Sequence, residues 1–246
     1  TYREWIYRQA FHMGRHIIGY EVQKVLAAVD WFDQRDASAK IGVAGYAEGG
    51  LIVFYAAAID TRIDAVLVIG YFDSRENVWA EPIYRNVWSL LERFGDAEIA
   101  SLILPRSLVV EYSPVPTVTG QKGDWSTPQY ASVSQEFERI VVPDGFAEPV
   151  LVHDDGHPTG PGSIRALEEF AGRLGVRTEM ALSDQRPMDR RRSFRPDERH
   201  RRAVGQLEDH VQLLVRESDH VREQFFLYKV MPELAEQRWS TERRRP

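Results

Sequence analysis

At 246 residues the chain can hold one large domain or two small ones, and its 43% hydrophobic and 28% charged content is ordinary for a soluble globular protein. No apolar run approaches the roughly 18–20 residues that span a bilayer, and a formal charge of -6 gives no global reason to expect nucleic acid as a partner. Cysteine is absent, which excludes disulfides and thiolate metal sites and leaves the compartment open.

The chain opens on Thr1-Tyr2-Arg3 and closes on Arg243-Arg244-Arg245-Pro246, so both ends read as cut from something longer, and no localisation is assigned. Residues 2–33 carry apolar positions at helical spacing (Trp5, Ile6, Met13, Ile17, Val22, Val25, Val29, Phe32), which predicts a long helix with Gly14 and Gly19 as candidate interruptions. Ile41-Gly42-Val43-Ala44 predicts a buried strand, followed by a glycine-rich turn at 45–50 and an alanine-rich helix over 51–59. Ile63 to Phe72 is a near-continuous apolar run, the pattern of a parallel strand covered on both faces. Helices are expected at 87–91 and 97–104, a strand at 107–111, and a loop over 113–130, where Pro114, Pro116, Gly120, Gly123 and Pro128 fall. A helix over 131–141, a strand over 149–152 and an amphipathic helix over 163–174 complete a βα alternation, which is the mark of a parallel α/β sheet.

Beyond Gly175 the character changes. Arg186, Arg190, Arg191, Arg192, Arg195, Arg199, Arg201 and Arg202 crowd a stretch with little apolar content, read as a solvated linker over 177–203 or a docking patch for an acidic partner. A helical segment over 204–240 follows. In it Leu207, Val211, Leu214, Val221 and Phe225 fall on alternating four- and three-residue steps, with Ser218 between, a seam that needs a missing part of the protein or a partner chain to cover it.

The turn Gly45-Tyr46-Ala47-Glu48-Gly49-Gly50 lies between strand and helix, with glycines where a nucleophile elbow has them. A dinucleotide site would need G-x-G-x-x-G, and Gly42, Gly45 and Gly49 do not have that spacing. Together with Gly14-Arg15-His16, Ala28-Val29-Asp30-Trp31, Asp60 to Ala65, Gly70 to Ser74, Arg93 to Asp96 with Ala100 to Arg106, and Gly156-His157, this turn resembles acetyl xylan esterase-like and dienelactone hydrolase-like α/β-hydrolases over about residues 5–175. The resemblance implies a partial α/β-hydrolase fold over 1–176, a parallel sheet with flanking helices whose early strands are missing from this chain. It places the nucleophile at Ala47, the catalytic histidine at His157 and an oxyanion-hole donor at the Glu48 N–H. Alanine has no oxygen to attack a carbonyl. The acid position falls near Val115 or Pro116; Asp73, at a strand end, is the leading substitute, with Glu111 and Asp124 behind it. His157 is then a vestigial triad member or an exposed loop histidine. No cofactor is implied. A metal role for His153, Asp154, Asp155 and His157, or for the pair His12 and His16, lacks the ligand pattern that would support it.

Three readings remain open. The chain is a catalytically silent relative of carboxylic-ester hydrolases that binds or scaffolds, with an ester or carbohydrate-like molecule as ligand. Alternatively it is an esterase for acetyl or other small esters seen with its nucleophile replaced, or an enzyme using Ser113 or Ser126 instead. Trp79, Tyr84, Trp88 and Trp125 are the aromatics available to a pocket or to the core.

Overall fold

The computed structural model describes residues 2–120, 123–176, 185–186, 188–189, 193 and 195–232. Two compact units divide the chain, Thr1–Ser183 and Asp184–Pro246. The first begins with two helices, α1 (Tyr2–His12) and α2 (Ile17–Arg35), where the periodicity predicts one. The break falls at Gly14, which takes φ +66°, while Gly19 continues helical. His16 then caps α2, its Nδ1 accepting from the Ile18 N–H at 3.1 Å.

Strands β1 (Ile41–Tyr46), β2 (Ile63–Ile69) and β3 (Ser107–Glu111) alternate with helices α3 (Glu48–Ile59) and α4 (Asp96–Ile103). The hairpin β4 (Val118–Gly120) and β5 (Gly123–Trp125), helix α5 (Tyr130–Glu138), strand β6 (Val150–Val152) and helix α6 (Ile164–Arg173) follow. The main sheet is four-stranded, all parallel, in the order β1-β2-β3-β6, with Gly45 opposite Val68 and Ile69 opposite Glu111. The period of two assigns alternate β2 side chains to opposite faces. Val66 and Val68 join Val29, Leu51, Phe54, Ala100 and Ile103 in the larger core, beneath α2, α3 and α4. Leu67 and Ile69 join Val109, Val152 and Ala166, beneath α6. The unit is therefore an α/β fold, with apolar strands sealed between helical layers.

Two polar side chains hold this frame. Arg106 Nη1 donates to three carbonyls at the end of α3 and the start of β2: Ala57 (2.6 Å), Asp60 (3.0 Å) and Ile63 (3.1 Å). They include carbonyls that a helix C-terminus leaves without partners. Glu111, 1% exposed at the end of β3, accepts from the N–H groups of Gly162 and Ser163, both at 2.8 Å, and from Thr159 Oγ1 at 3.1 Å. It thereby anchors the start of α6.

Some local expectations fail. The stretch 87–91 forms no helix, and 3-10 turns occupy Arg75–Ala80 and Ile83–Arg85 instead. The region 113–130, read as a loop, contains the β4-β5 hairpin. In the second unit, helix α7 (Pro196–Arg222) starts inside the stretch read as linker, with Pro196 in its first turn. Arg190 to Arg192 and residues 233–240 of the expected helical segment lie outside the described residues. No helix among the described residues is long and apolar enough to cross a membrane.

Candidate functional site

The strand-to-helix turn has the geometry of an elbow. Ala47 sits at φ 56° and ψ -116°, a conformation that costs a residue with a Cβ on the order of 1–3 kcal/mol. Its N–H donates to the Ile69 carbonyl at 2.9 Å, which pins the tip to β2. Gly45 is required: a Cβ there would lie 2.1 Å from the Gly49 carbonyl oxygen. Gly50 is tight as well, 3.0 Å from the Ile69 oxygen. Gly49 differs from its expected role, since a Cβ on it would meet open space; what α3 brings against β1 is the Gly49 backbone.

Where an esterase needs an open nucleophile, this elbow is covered. Ala47 is 8% exposed and packs with Val115, Trp125 and Tyr46. The Tyr46 hydroxyl donates to the Pro114 carbonyl at 2.7 Å, and the Val115 N–H donates to Thr127 Oγ1 at 2.9 Å, so the covering loop is tied from both ends. Arg85, 3% exposed, lies over the Trp125 ring at 4.0 Å. Val115, at the expected acid position, thus supplies packing rather than charge.

Around this cover runs an ionic chain that the sequence reading missed. Arg85 binds Glu48 (2.6 Å) and Glu81 (2.5 Å); Arg75 binds Glu81 (3.2 Å) and Asp96 (3.4 Å); Arg3 binds Glu21 (2.5 Å) and reaches Glu48 (3.5 Å). These members come from helices, 3-10 turns and the elbow. Asp96 is fully buried, and burial pushes its carboxyl up to about 7, against the pull of Arg75 and of the Asp73 N–H. The Arg75 guanidinium, surrounded by Asp96, Tyr71, Glu81 and Asp73, stays charged.

No hydrogen bond or ion pair joins the expected catalytic residues to one another. His157 is exposed in a tight turn closed by backbone bonds to Asp154, and no side-chain hydrogen bond joins it to Asp73. Asp73 instead accepts from Ser132 Oγ at 2.5 Å and has Arg75 at 3.9 Å; burial raises its carboxyl, with the Ser132 bond opposing. Glu111 is committed to α6, and Asp124 is exposed on the hairpin. Glu48 opens α3, so its N–H belongs to the first-turn donors that lack helical partners, while its side chain belongs to the ionic chain. Ser113 is buried and Ser126 exposed, neither on the elbow.

Both ring nitrogens of His153 are engaged, Nε2 with the Tyr130 hydroxyl at 3.0 Å and Nδ1 with the Gly156 N–H at 3.1 Å. Those of His16 are engaged too, Nε2 with the Asn86 carbonyl at 3.1 Å; burial lowers its pKa. These bonds leave neither imidazole a free lone pair for a metal. Of the aromatics, Trp125 covers the elbow, Tyr84 lies beneath Arg3, and Trp79 and Trp88 are exposed. A polar cavity of about 570 Å³ opens beside Asp73, lined by Ser74, Arg75, Glu98, Ser132, Gln135 and Arg139 among others.

A four-stranded parallel sheet with flanking helices and a strained strand-turn-helix elbow define a partial α/β fold. Among solved structures the chain is similar to a "putative acetyl xylan esterase" from Bacteroides fragilis, at 14% identity and a TM-score of 0.46. The match covers 62% of this chain and 40% of that one, so the chain spans less than half of that protein's length. No family model and no curated protein matches the chain.

Proposed function

We propose that the first unit is a domain of the carboxylic-ester hydrolase lineage that has given up ester cleavage and acts in binding or scaffolding. The observation that carries this reading is Ala47 itself: it keeps the strained backbone of a nucleophile, yet lies buried under Val115 and Trp125. Strain of that kind persists where surrounding structure over-determines it, and a nucleophile's exposure is the ordinary reason for building it. Here the backbone survives without the oxygen, the acid or the access. The polar cavity beside Asp73 offers hydroxyl, amide and charged groups of both signs, a lining suited to a polyhydroxylated, carbohydrate-like ligand.

The test has two arms. The chain is expected to be inert toward p-nitrophenyl acetate and unlabelled by a fluorophosphonate probe; covalent labelling at any serine overturns the silent reading. Titration with xylo-oligosaccharides, followed by amide NMR shifts, is expected to perturb Ser74, Ser132 and Gln135. Shifts confined to other surfaces would remove the cavity from the proposal.

A further inference from the structure

Helix α7 leaves none of its residues buried, although apolar side chains recur along it. Val204, Leu207 and Val221 are 42%, 47% and 46% exposed, and Val211 and Leu214 are half-buried. These positions follow the three-four alternation of a heptad: Val204, Val211 and Ser218 at a, and Leu207, Leu214 and Val221 at d. The repeat is also bounded. A π-helical turn at Glu223–Leu227 puts the chain out of register with seven-residue spacing, so the usable seam runs from 204 to 221, about 27 Å at 1.5 Å per residue.

We infer that α7 pairs with the α7 of a second copy of this chain, as a short parallel two-stranded coiled coil. Two observations select that occupant, on a seam at a and d that Val215, 50% exposed, widens at e. Valine at successive a positions with leucine at d favours two parallel strands over three or four. Charge then agrees with geometry: Glu217 stands at g and Arg222 at the following e, so each Glu217 faces the second copy's Arg222. Arg222 now bonds Asp219 at 3.0 Å in an exposed pair, an interaction weak enough to exchange.

Ser218 does not break the seam. Its hydroxyl donates to the Val215 carbonyl at 2.7 Å, so an a position inside the pair would carry no unsatisfied polar atom. An antiparallel pair would set valine layers against leucine layers and remove Glu217 from Arg222. The short seam makes the association weak and reversible.

The experiment uses the full chain in sedimentation equilibrium over a wide range of chain concentration. A monomer–dimer equilibrium is expected; a monomer throughout, or a trimer, overturns the inference. Leu214→Lys, at d, is expected to weaken the dimer by at least about thirtyfold, whereas Leu213→Lys, at the outward c position, changes it less than about threefold. Equal effects would place the interface elsewhere. Far-ultraviolet circular dichroism of both variants shows whether the helix survives. Because the chain has no cysteine, Ser218→Cys supplies a single thiol. In the parallel pair two such thiols face each other within disulfide reach, so mild oxidation is expected to link two copies covalently. A dimer that Ser218→Cys fails to link overturns the parallel arrangement.

Discussion

Placing serine at the elbow is the sharpest test of the proposed loss of ester cleavage. Ala47→Ser adds one hydroxyl at a position 8% exposed, among Val115, Trp125 and Tyr46. Burying a hydroxyl without a partner costs about 1–3 kcal/mol, so the variant should unfold at lower denaturant by that amount. Chemistry should not follow. The exposed His157 ring makes no hydrogen bond to an acid that would orient it, and both nitrogens of His153 are engaged, so neither histidine is held as an oriented base. In a working triad enzyme, loss of the base alone costs on the order of a millionfold in turnover. Hydrolysis of p-nitrophenyl acetate by Ala47→Ser should therefore match the unsubstituted chain, and mass spectrometry should find no fluorophosphonate adduct at position 47. Stoichiometric labelling there, or a rate rising about a thousandfold over buffer, would refute the reasoning. Either result would mean that Trp125 and Val115 swing aside and that His157 is a live base.

Other expectations concern the frame. Gly45→Ala should cost at least about 3 kcal/mol or prevent folding, because its Cβ would meet backbone at 2.1 Å, whereas Gly49→Ala in the first turn of α3 should be neutral or stabilise by up to about 1 kcal/mol; urea denaturation compares them. Glu111→Ala should cost about 2–4 kcal/mol in the same assay, since the half-buried Gly162 and Ser163 N–H groups and the Thr159 hydroxyl lose their buried acceptor; a loss under about 1 kcal/mol would contradict the anchoring role. Burial holds the folded pKa of Asp96 near 7, above its unfolded value, so the folded chain binds the extra proton. That contribution is present at acid pH and fades as pH rises through about 7. Stability of the native chain relative to Asp96→Asn should then fall between pH 4 and 7 by no more than about 1.4 kcal/mol per pH unit, and a difference that rises with pH would reverse the assignment.

The elements were legible because their signals are local. An apolar run such as Ile63–Ile69, rich in β-branched residues, carries the pattern of a strand covered on both faces, and a glycine at 45 between strand and helix marks a close backbone approach wherever the chain goes next. The same local reading offers Gly14 and Gly19 alike as interruptions of a long helix over 2–33, because nothing adjacent in sequence reveals that Gly14 adopts positive φ while Gly19 stays helical. It also took 118–125 for loop, since a hairpin of three-residue strands has too few residues to show a period. The site was decided elsewhere. Glu48 meets Arg85 across thirty-seven positions and Arg3 meets Glu21 across eighteen, and such pairs leave no mark in either neighbourhood. Sequence alone determined that the elbow lacks its oxygen. Only the tertiary structure decided that Trp125, Val115 and Arg85 close over it, because burial at Ala47 is set by a hairpin more than seventy residues away.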